Sequence, residues 1–278
     1  MNIKIKNFNL KNTVTCGQIF RYIEEDDNSY TIVLSDRVVN LKIEDNDLIV
    51  DSNNMNDIES IIKNYFDLDF DYEILNKKLI DIDKNNKVII DSCYGLKMIN
   101  EPRFEVIMSY ILSANNRVPQ IRKTLDNISK KYGEKVLFRN KEYYLFPSVE
   151  KLKNVTIDDY RNCKAGFRDK YLFEIVNKII NKEFDINSIE KMNSIDALNY
   201  LMKNNGIGEK VASCILLFGY HRFDVFPIDT WVKKYMKEKY NLEKVPEIRK
   251  FMKEKYNENC GLIIQYIFNY SRNINNNS

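Results

Sequence analysis

"NNGIGEKVASCILLF" (residues 204–218) places two of the chain's eight glycines one residue apart, directly before Glu209, Lys210 and an apolar run. Ile195, Leu198 and Leu201 form an apolar stripe on a helix before it, and Val211, Ala212, Ile215 and Phe218 form another after it. Asn204 to Gly208 therefore reads as a tight joint between two helices. A Walker loop would need Gly-Lys-Ser/Thr after a four-residue spacer, and a dinucleotide fingerprint would need a preceding strand; neither is present. What remains is a helix-hairpin-helix, in which Gly206 and Gly208 let the backbone turn and approach a nucleic-acid phosphate at the second helix's N-terminus. An ordinary corner between two helices has the same glycine pattern, and at this point both readings stand.

Working outward, "SYTIVL" (29–34), "RVVNLKI" (37–43) and "DLIV" (47–50) are rich in β-branched and aromatic residues and are parted by the turn-like "EEDDN" and "EDND". From about residue 100 the period changes to that of helices. Phe104, Ile107, Met108, Ile111 and Leu112 share one face after Pro102, and Ile121, Leu125 and Ile128 repeat the pattern after Pro119, with Gly133 as a stop. Helices then account for the chain to residue 270. The expected fold class is α+β: an antiparallel β-sheet domain over residues 1–85, then a mostly α-helical region over 86–278 with the hairpin near 195–219. The Asn-rich end, "NINNNS", reads as a frayed tail.

With 43 basic and 40 acidic residues, the net charge of +3 permits an anionic partner without demanding one. No run approaches the roughly 20 apolar residues of a membrane span, and no basic segment precedes an apolar one at the N-terminus, so a cytoplasmic protein without membrane association is expected. Cys16, Cys93, Cys163, Cys214 and Cys260 are widely spaced, which suggests packed, reduced thiols. His221 is the single histidine, so a two-histidine metal site is excluded. Catalysis would have to rest on Lys, Asp, Glu, Cys or Tyr.

Beyond Lys210 comes "FDVFPIDTWV" (223–232), where Pro227 ends an extended piece and Asp229 stands at the N-cap of the next helix. A lysine in the first turn of the hairpin's second helix, followed by an aspartate at the next helix start, resembles the helix-hairpin-helix DNA glycosylase superfamily. "CGQIFRY" (16–22), "YFDLDFDYE" (65–73), "ILSANNRV" (111–118), "FPSVEKL" (146–152) and "AGFRDKYL" (165–172) are similar to motifs of the 8-oxoguanine DNA glycosylase/AP lyases, in that family's order and across most of the chain. The resemblance is to a bacterial-type member.

The resemblance implies an enzyme that excises 8-oxoguanine from duplex DNA and then cleaves the strand. Lys210 matches the nucleophile that forms a Schiff base with the sugar, and Asp229 the carboxylate that stabilises positive charge at C1′. Lys210 is expected to be partly buried. The flipped base would meet Gly17, whose carbonyl faces N7–H, with Phe268 stacked on one side and Cys214 packed on the other. The family glutamine that reads the base edge falls on Ile264, and Gln265 beside it points about 100° away along a helix. Asn115, Gln120, Phe167 and Arg168 match contacts to the opposite base, Gln120 standing where the family has an arginine.

No cofactor is required by this reading. A structural cation held by main-chain carbonyls of Met202, Asn204 and Ile207 is implied by the resemblance, and the expected protein is a monomer on duplex DNA containing 8-oxoguanine. Two rivals remain open at this point. One is an endonuclease III-like enzyme for oxidised pyrimidines, whose usual iron–sulfur cluster needs four closely spaced cysteines where this chain has only Cys260. The other is a noncatalytic DNA-binding module that keeps the hairpin alone.

Overall fold

The computed structural model describes residues 1–276. In chain order the elements are β1 (Asn2–Lys4), α1 (Leu10–Thr15), β2 (Tyr22–Glu24), β3 (Tyr30–Val33), β4 (Val38–Glu44), β5 (Asp47–Ser52), α2 (Ile58–Tyr65), α3 (Tyr72–Ile82), α4 (Asn86–Ser92), α5 (Arg103–Ser113) and α6 (Val118–Tyr132). Then follow β6 (Lys135–Phe138), β7 (Lys141–Tyr144), α7 (Ile157–Asn162), α8 (Asp169–Ile180), α9 (Ser194–Met202), α10 (Glu209–Gly219), α11 (Thr230–Tyr240), α12 (Val245–Tyr256) and α13 (Cys260–Asn276).

The amino-terminal strands form one antiparallel sheet in the order β1-β5-β4-β3-β2. Glu44 pairs with Asp47 across a two-residue turn whose Asp45 and Asn46 both take positive φ, 47° and 67°, the conformation that matches strand twist in a tight hairpin. Strand alternation then decides the faces. Ile32, Leu41, Leu48 and Val50 face α1 and α2, where Leu10, Val14, Ile58 and Ile62 close a small core.

Val38 faces the other way and packs with Phe138, Tyr143 and Leu145 of a second hairpin, β6–β7. This hairpin corrects the expectation of helices alone beyond residue 100. Its Arg139 and Asn140 turn also has positive φ, 49° and 58°, but "RN" is a weak hairpin signal and its strands have only four residues each.

The helical region is built around α10, whose residues Val211 to Gly219 are all buried, as expected of a helix that is apolar all round. It packs beside α5, where Val106, Ile107, Met108, Ile111 and Leu112 are buried. The same core takes in Phe20 and, from α3, Tyr72, Leu75 and Leu79. A buried ion pair, Arg21 to Glu105 at 3.3 Å, joins the sheet side to α5.

Three local expectations need adjustment. Pro102 stands at the N-cap of α5, one residue before its first turn. On α9 the buried side chains are Ala197 and Leu201, while Ile195 is 72% exposed, because a spacing of four aligns better with the helix period than two steps of three. The Asn-rich end is helical through Asn276; Asn277 and Ser278 lie outside the described residues. All five cysteines are free and buried. No helix among the described residues is long and apolar enough to cross a membrane.

Candidate active site

Gly208 is the N-cap of α10, so Lys210 stands in that helix's first turn. Asp229 caps α11: its backbone is extended and its Oδ1 accepts the Val232 N–H at 2.9 Å. Both residues line a small cavity of about 60 Å³, together with Gly17, Cys214, Ile264 and Phe268. All six residues expected at the sugar and the lesion base are thus brought to one place from four separate parts of the chain.

Lys210 is exposed, which departs from the partial burial expected of it, because the first turn of α10 emerges from the core. Its Nζ lies 5.9 Å from the centre of the Tyr110 ring. Burial raises the Asp229 carboxyl above its ordinary value, while the Val232 amide and the Lys210 charge pull it back. Burial likewise raises the Cys214 thiol. Cys214, 3% exposed, is a packed wall of the cavity.

Gly17 cannot be replaced without strain. Its φ is +90°, and an added Cβ would lie 3.1 Å from Cε1 of Phe268. Ile264 is 2% exposed and offers the cavity no polar group. Gln265 also lines it, but its Nε2 donates to the Cys16 carbonyl at 3.1 Å.

Nothing in the sequence singles out Tyr110. It sits on the apolar face of α5 with its ring stacked on Phe218 at 5.6 Å, and its hydroxyl donates toward the carbonyls of Gly17 (3.5 Å) and Gln18 (3.3 Å). An aromatic at that spacing has no mark that separates it from a core residue.

The residues expected at the opposite base form a second cluster. Asn115, just beyond α5, is exposed with φ of 49°. Phe167 is 57% exposed, which rules out a core role for it. Arg168 is turned inward instead of outward: its Nε donates to the Ala114 carbonyl at 2.8 Å and a terminal nitrogen to the Asn115 carbonyl at 2.7 Å. It braces the Asn115 turn and lies 4.2 Å from the Phe167 ring centre. Gln120 donates its amide to the Lys164 carbonyl at 3.1 Å.

A run of contacts links this cluster to the hairpin. Phe167 meets Tyr171 edge-on at 6.4 Å, and Tyr171 lies directly under Gly206, where an added Cβ would come within 2.6 Å of the ring. Gly206 has φ of +81°, so both its conformation and its neighbour require glycine. Gly206→Ala is expected to lower stability by about 2–4 kcal/mol, from left-handed strain plus overpacking, read as a lower urea midpoint. An unchanged midpoint would mean that the Tyr171 contact is not tight. Gly208 differs: its φ is negative and a Cβ there would point into open space. Nothing within the fold requires glycine at that position, in keeping with an approach from outside.

Residues 1–107 match the family described as 8-oxoguanine DNA glycosylase, N-terminal domain. The Clostridium acetobutylicum 8-oxoguanine glycosylase/lyase, solved in complex with double-stranded DNA containing cytosine opposite 8-oxoguanine, is 35% identical with a TM-score of 0.92, covering 99% of this chain and 98% of that one. A probable N-glycosylase/DNA lyase of Methanothermobacter thermautotrophicus is 32% identical over 63% of this chain and 62% of its own length, so the match spans under two thirds of that relative. The N-glycosylase/DNA lyase of Saccharomyces cerevisiae is 26% identical over 84% of this chain and 68% of its own length. On this similarity over nearly its whole length, the chain belongs to the 8-oxoguanine DNA glycosylase/lyase family of DNA repair enzymes.

Proposed function

We propose that this chain takes an 8-oxoguanine nucleotide out of duplex DNA, excises the base through a Schiff base at Lys210, and cleaves the strand by β-elimination. The observation that carries the reading is the single cavity shared by Lys210, Asp229, Gly17, Cys214 and Phe268.

Breaking the glycosidic bond leaves positive charge at C1′, which a nearby carboxylate stabilises; Asp229 is the carboxylate of this cavity. The Lys210 amine then bonds to C1′, the sugar ring opens, and the resulting iminium acidifies the C2′ proton so that the 3′ phosphate leaves. An exposed lysine at the cavity mouth suits an extrahelical sugar that arrives from outside. Guanine has an acceptor at N7 where 8-oxoguanine has N–H, so a backbone carbonyl discriminates between them. Gly17 would supply that carbonyl, Phe268 would stack on the base and Cys214 would close its other face.

Phe167 would wedge beside the orphaned base, with Asn115 held for it by Arg168. Gly206 and Gly208 would bring the hairpin to the DNA backbone. The Asn204 carbonyl already accepts the Ile207 N–H at 3.1 Å, whereas the carbonyls of Met202 and Ile207 accept no hydrogen bond among the described residues. They fit the proposed cation, which would offset phosphate charge when bound.

Gln120 carries no fixed charge and its amide is already engaged. A weak preference for cytosine opposite the lesion follows, and Gln120→Arg is expected to strengthen it by roughly 5- to 100-fold, the worth of one bidentate base contact. Paired excision assays opposite cytosine and adenine measure this. A strong preference already present in the unmodified enzyme would overturn it.

Borohydride trapping on duplexes bearing 8-oxoguanine, an oxidised pyrimidine or no lesion tests the substrate. An adduct confined to 8-oxoguanine is the expected result. Trapping on the pyrimidine lesion instead would replace this substrate, and binding with neither adduct nor base release would remove the enzymatic reading.

A further inference from the structure

Gln265, Phe268 and Arg272 lie on one stripe of α13, three and four residues apart, and all three meet the loop that carries Gly17. Gln265, 4% exposed, donates to the Cys16 carbonyl at 3.1 Å. Arg272 donates to the Thr15 carbonyl at 2.6 Å. The Phe268 ring fills the space beside Gly17. Past Gly17, the Gln18 side chain holds the other end, donating to the Lys97 carbonyl and accepting the Ile99 N–H, both at 2.8 Å.

The loop is therefore pinned on both sides of its glycine. Of three successive carbonyls, those of Thr15 and Cys16 are taken up by α13. Among the described residues, that of Gly17 keeps only a long 3.5 Å contact with the Tyr110 hydroxyl, which also reaches the Gln18 carbonyl. The carbonyl left least satisfied belongs to the residue that lines the cavity.

We infer that Gln265, seconded by Arg272, is a positioning residue for lesion recognition: it anchors the Cys16 carbonyl and so holds the Gly17 carbonyl where a purine N7–H meets it. This rests on the proposed excision of 8-oxoguanine. Hydrogen bonds weaken steeply with angle and distance, so a loop free to shift would lose the distinction between an N–H and a lone pair. Removing the Gln265 donor strands the buried Cys16 carbonyl, and the loop must move to satisfy it.

The test compares binding of duplexes containing 8-oxoguanine or guanine, in a Lys210→Gln background that halts turnover. Gln265→Met keeps the bulk and removes the donor; the preference for the lesion is expected to fall roughly five- to tenfold. Gln265→Asn, which retains an amide on a shorter stem, should lose less. Cleavage of a preformed abasic site by Gln265→Met with Lys210 intact should fall by less than the lesion preference does, since no base is present for Gly17 to read. Should Gln265→Met fail to fold, Arg272→Met loosens the same loop at its neighbouring carbonyl.

An unaltered preference in Gln265→Met would overturn the inference. So would a parallel loss of lesion preference and abasic-site cleavage, which is what a merely structural role predicts. If the parent with Gln265 intact shows no preference for 8-oxoguanine, the proposed substrate fails and this inference with it, a result visible before any loop variant is made.

Discussion

Lys210→Gln should lose the borohydride-trapped adduct altogether and reduce strand cleavage at 8-oxoguanine by at least about a thousandfold, while leaving lesion binding largely intact. The size follows from the loss of a covalent nucleophile, which leaves only binding and electrostatic contributions. The variant is a clean one for structural reasons. Lys210 is exposed, with its Nζ 5.9 Å from the Tyr110 ring centre, so little packing is lost. A cation in the first turn opposes the helix dipole, so its removal does not weaken α10. Gel-shift titration with lesion and undamaged duplexes should therefore show near-parent affinity beside absent cleavage. A trapped adduct that persists in Lys210→Gln would move the nucleophile to another amine.

Asp229→Asn is expected to slow base excision by about a hundred- to a thousandfold, in line with the loss of one preorganised electrostatic group at a developing charge. Asparagine caps helices as well as aspartate, so the hydrogen bond from Val232 and the start of α11 should survive. The cost is then in chemistry and not in folding. Single-turnover excision against pH separates the two. Burial raises the Asp229 carboxyl from its ordinary value of 3.8, so the ionised form, and excision with it, is lost at a higher pH than an exposed aspartate would give. Asp229→Asn should lack that acidic limb.

Linkage gives the opposite sign for stability. A carboxyl raised in the folded state binds its proton more tightly there, so its contribution to stability is greatest in acid and declines as pH rises above the unfolded value toward the folded one. Asp229→Asn removes a half-buried carboxyl whose charged form burial disfavours, so the variant should be no less stable at neutral pH. A large fall in melting temperature at neutral pH would show instead that the carboxylate holds the fold. An excision rate close to that of the parent would remove Asp229 from the chemistry.

Much of the centre of this protein is local in character, and local features are legible in one dimension. The turn at Asn204 to Gly208, the first-turn position of Lys210 and the N-cap at Asp229 depend on residues within a few positions of one another. Their placement follows from glycine conformation and capping chemistry alone. In the first sheet β3, β4 and β5 are marked by β-branched runs and by a turn at Asp45 and Asn46, whereas β1 and β2, three residues each, carry no such run.

Gly17 and Phe268 are different: only a likeness to a family points to them, and no periodicity places residues so distant in sequence against Lys210. Tertiary structure alone decided that Tyr110 joins the cavity, that Gln265 spends its amide on the Cys16 carbonyl, and that Arg168 turns inward to brace Asn115. It also decided that Val38 would find partners in a hairpin a hundred or more residues away. A side chain's spacing reveals the face on which it lies, but its hydrogen-bond partner is whichever donor or acceptor packing brings within about 3 Å, and that depends on the whole chain.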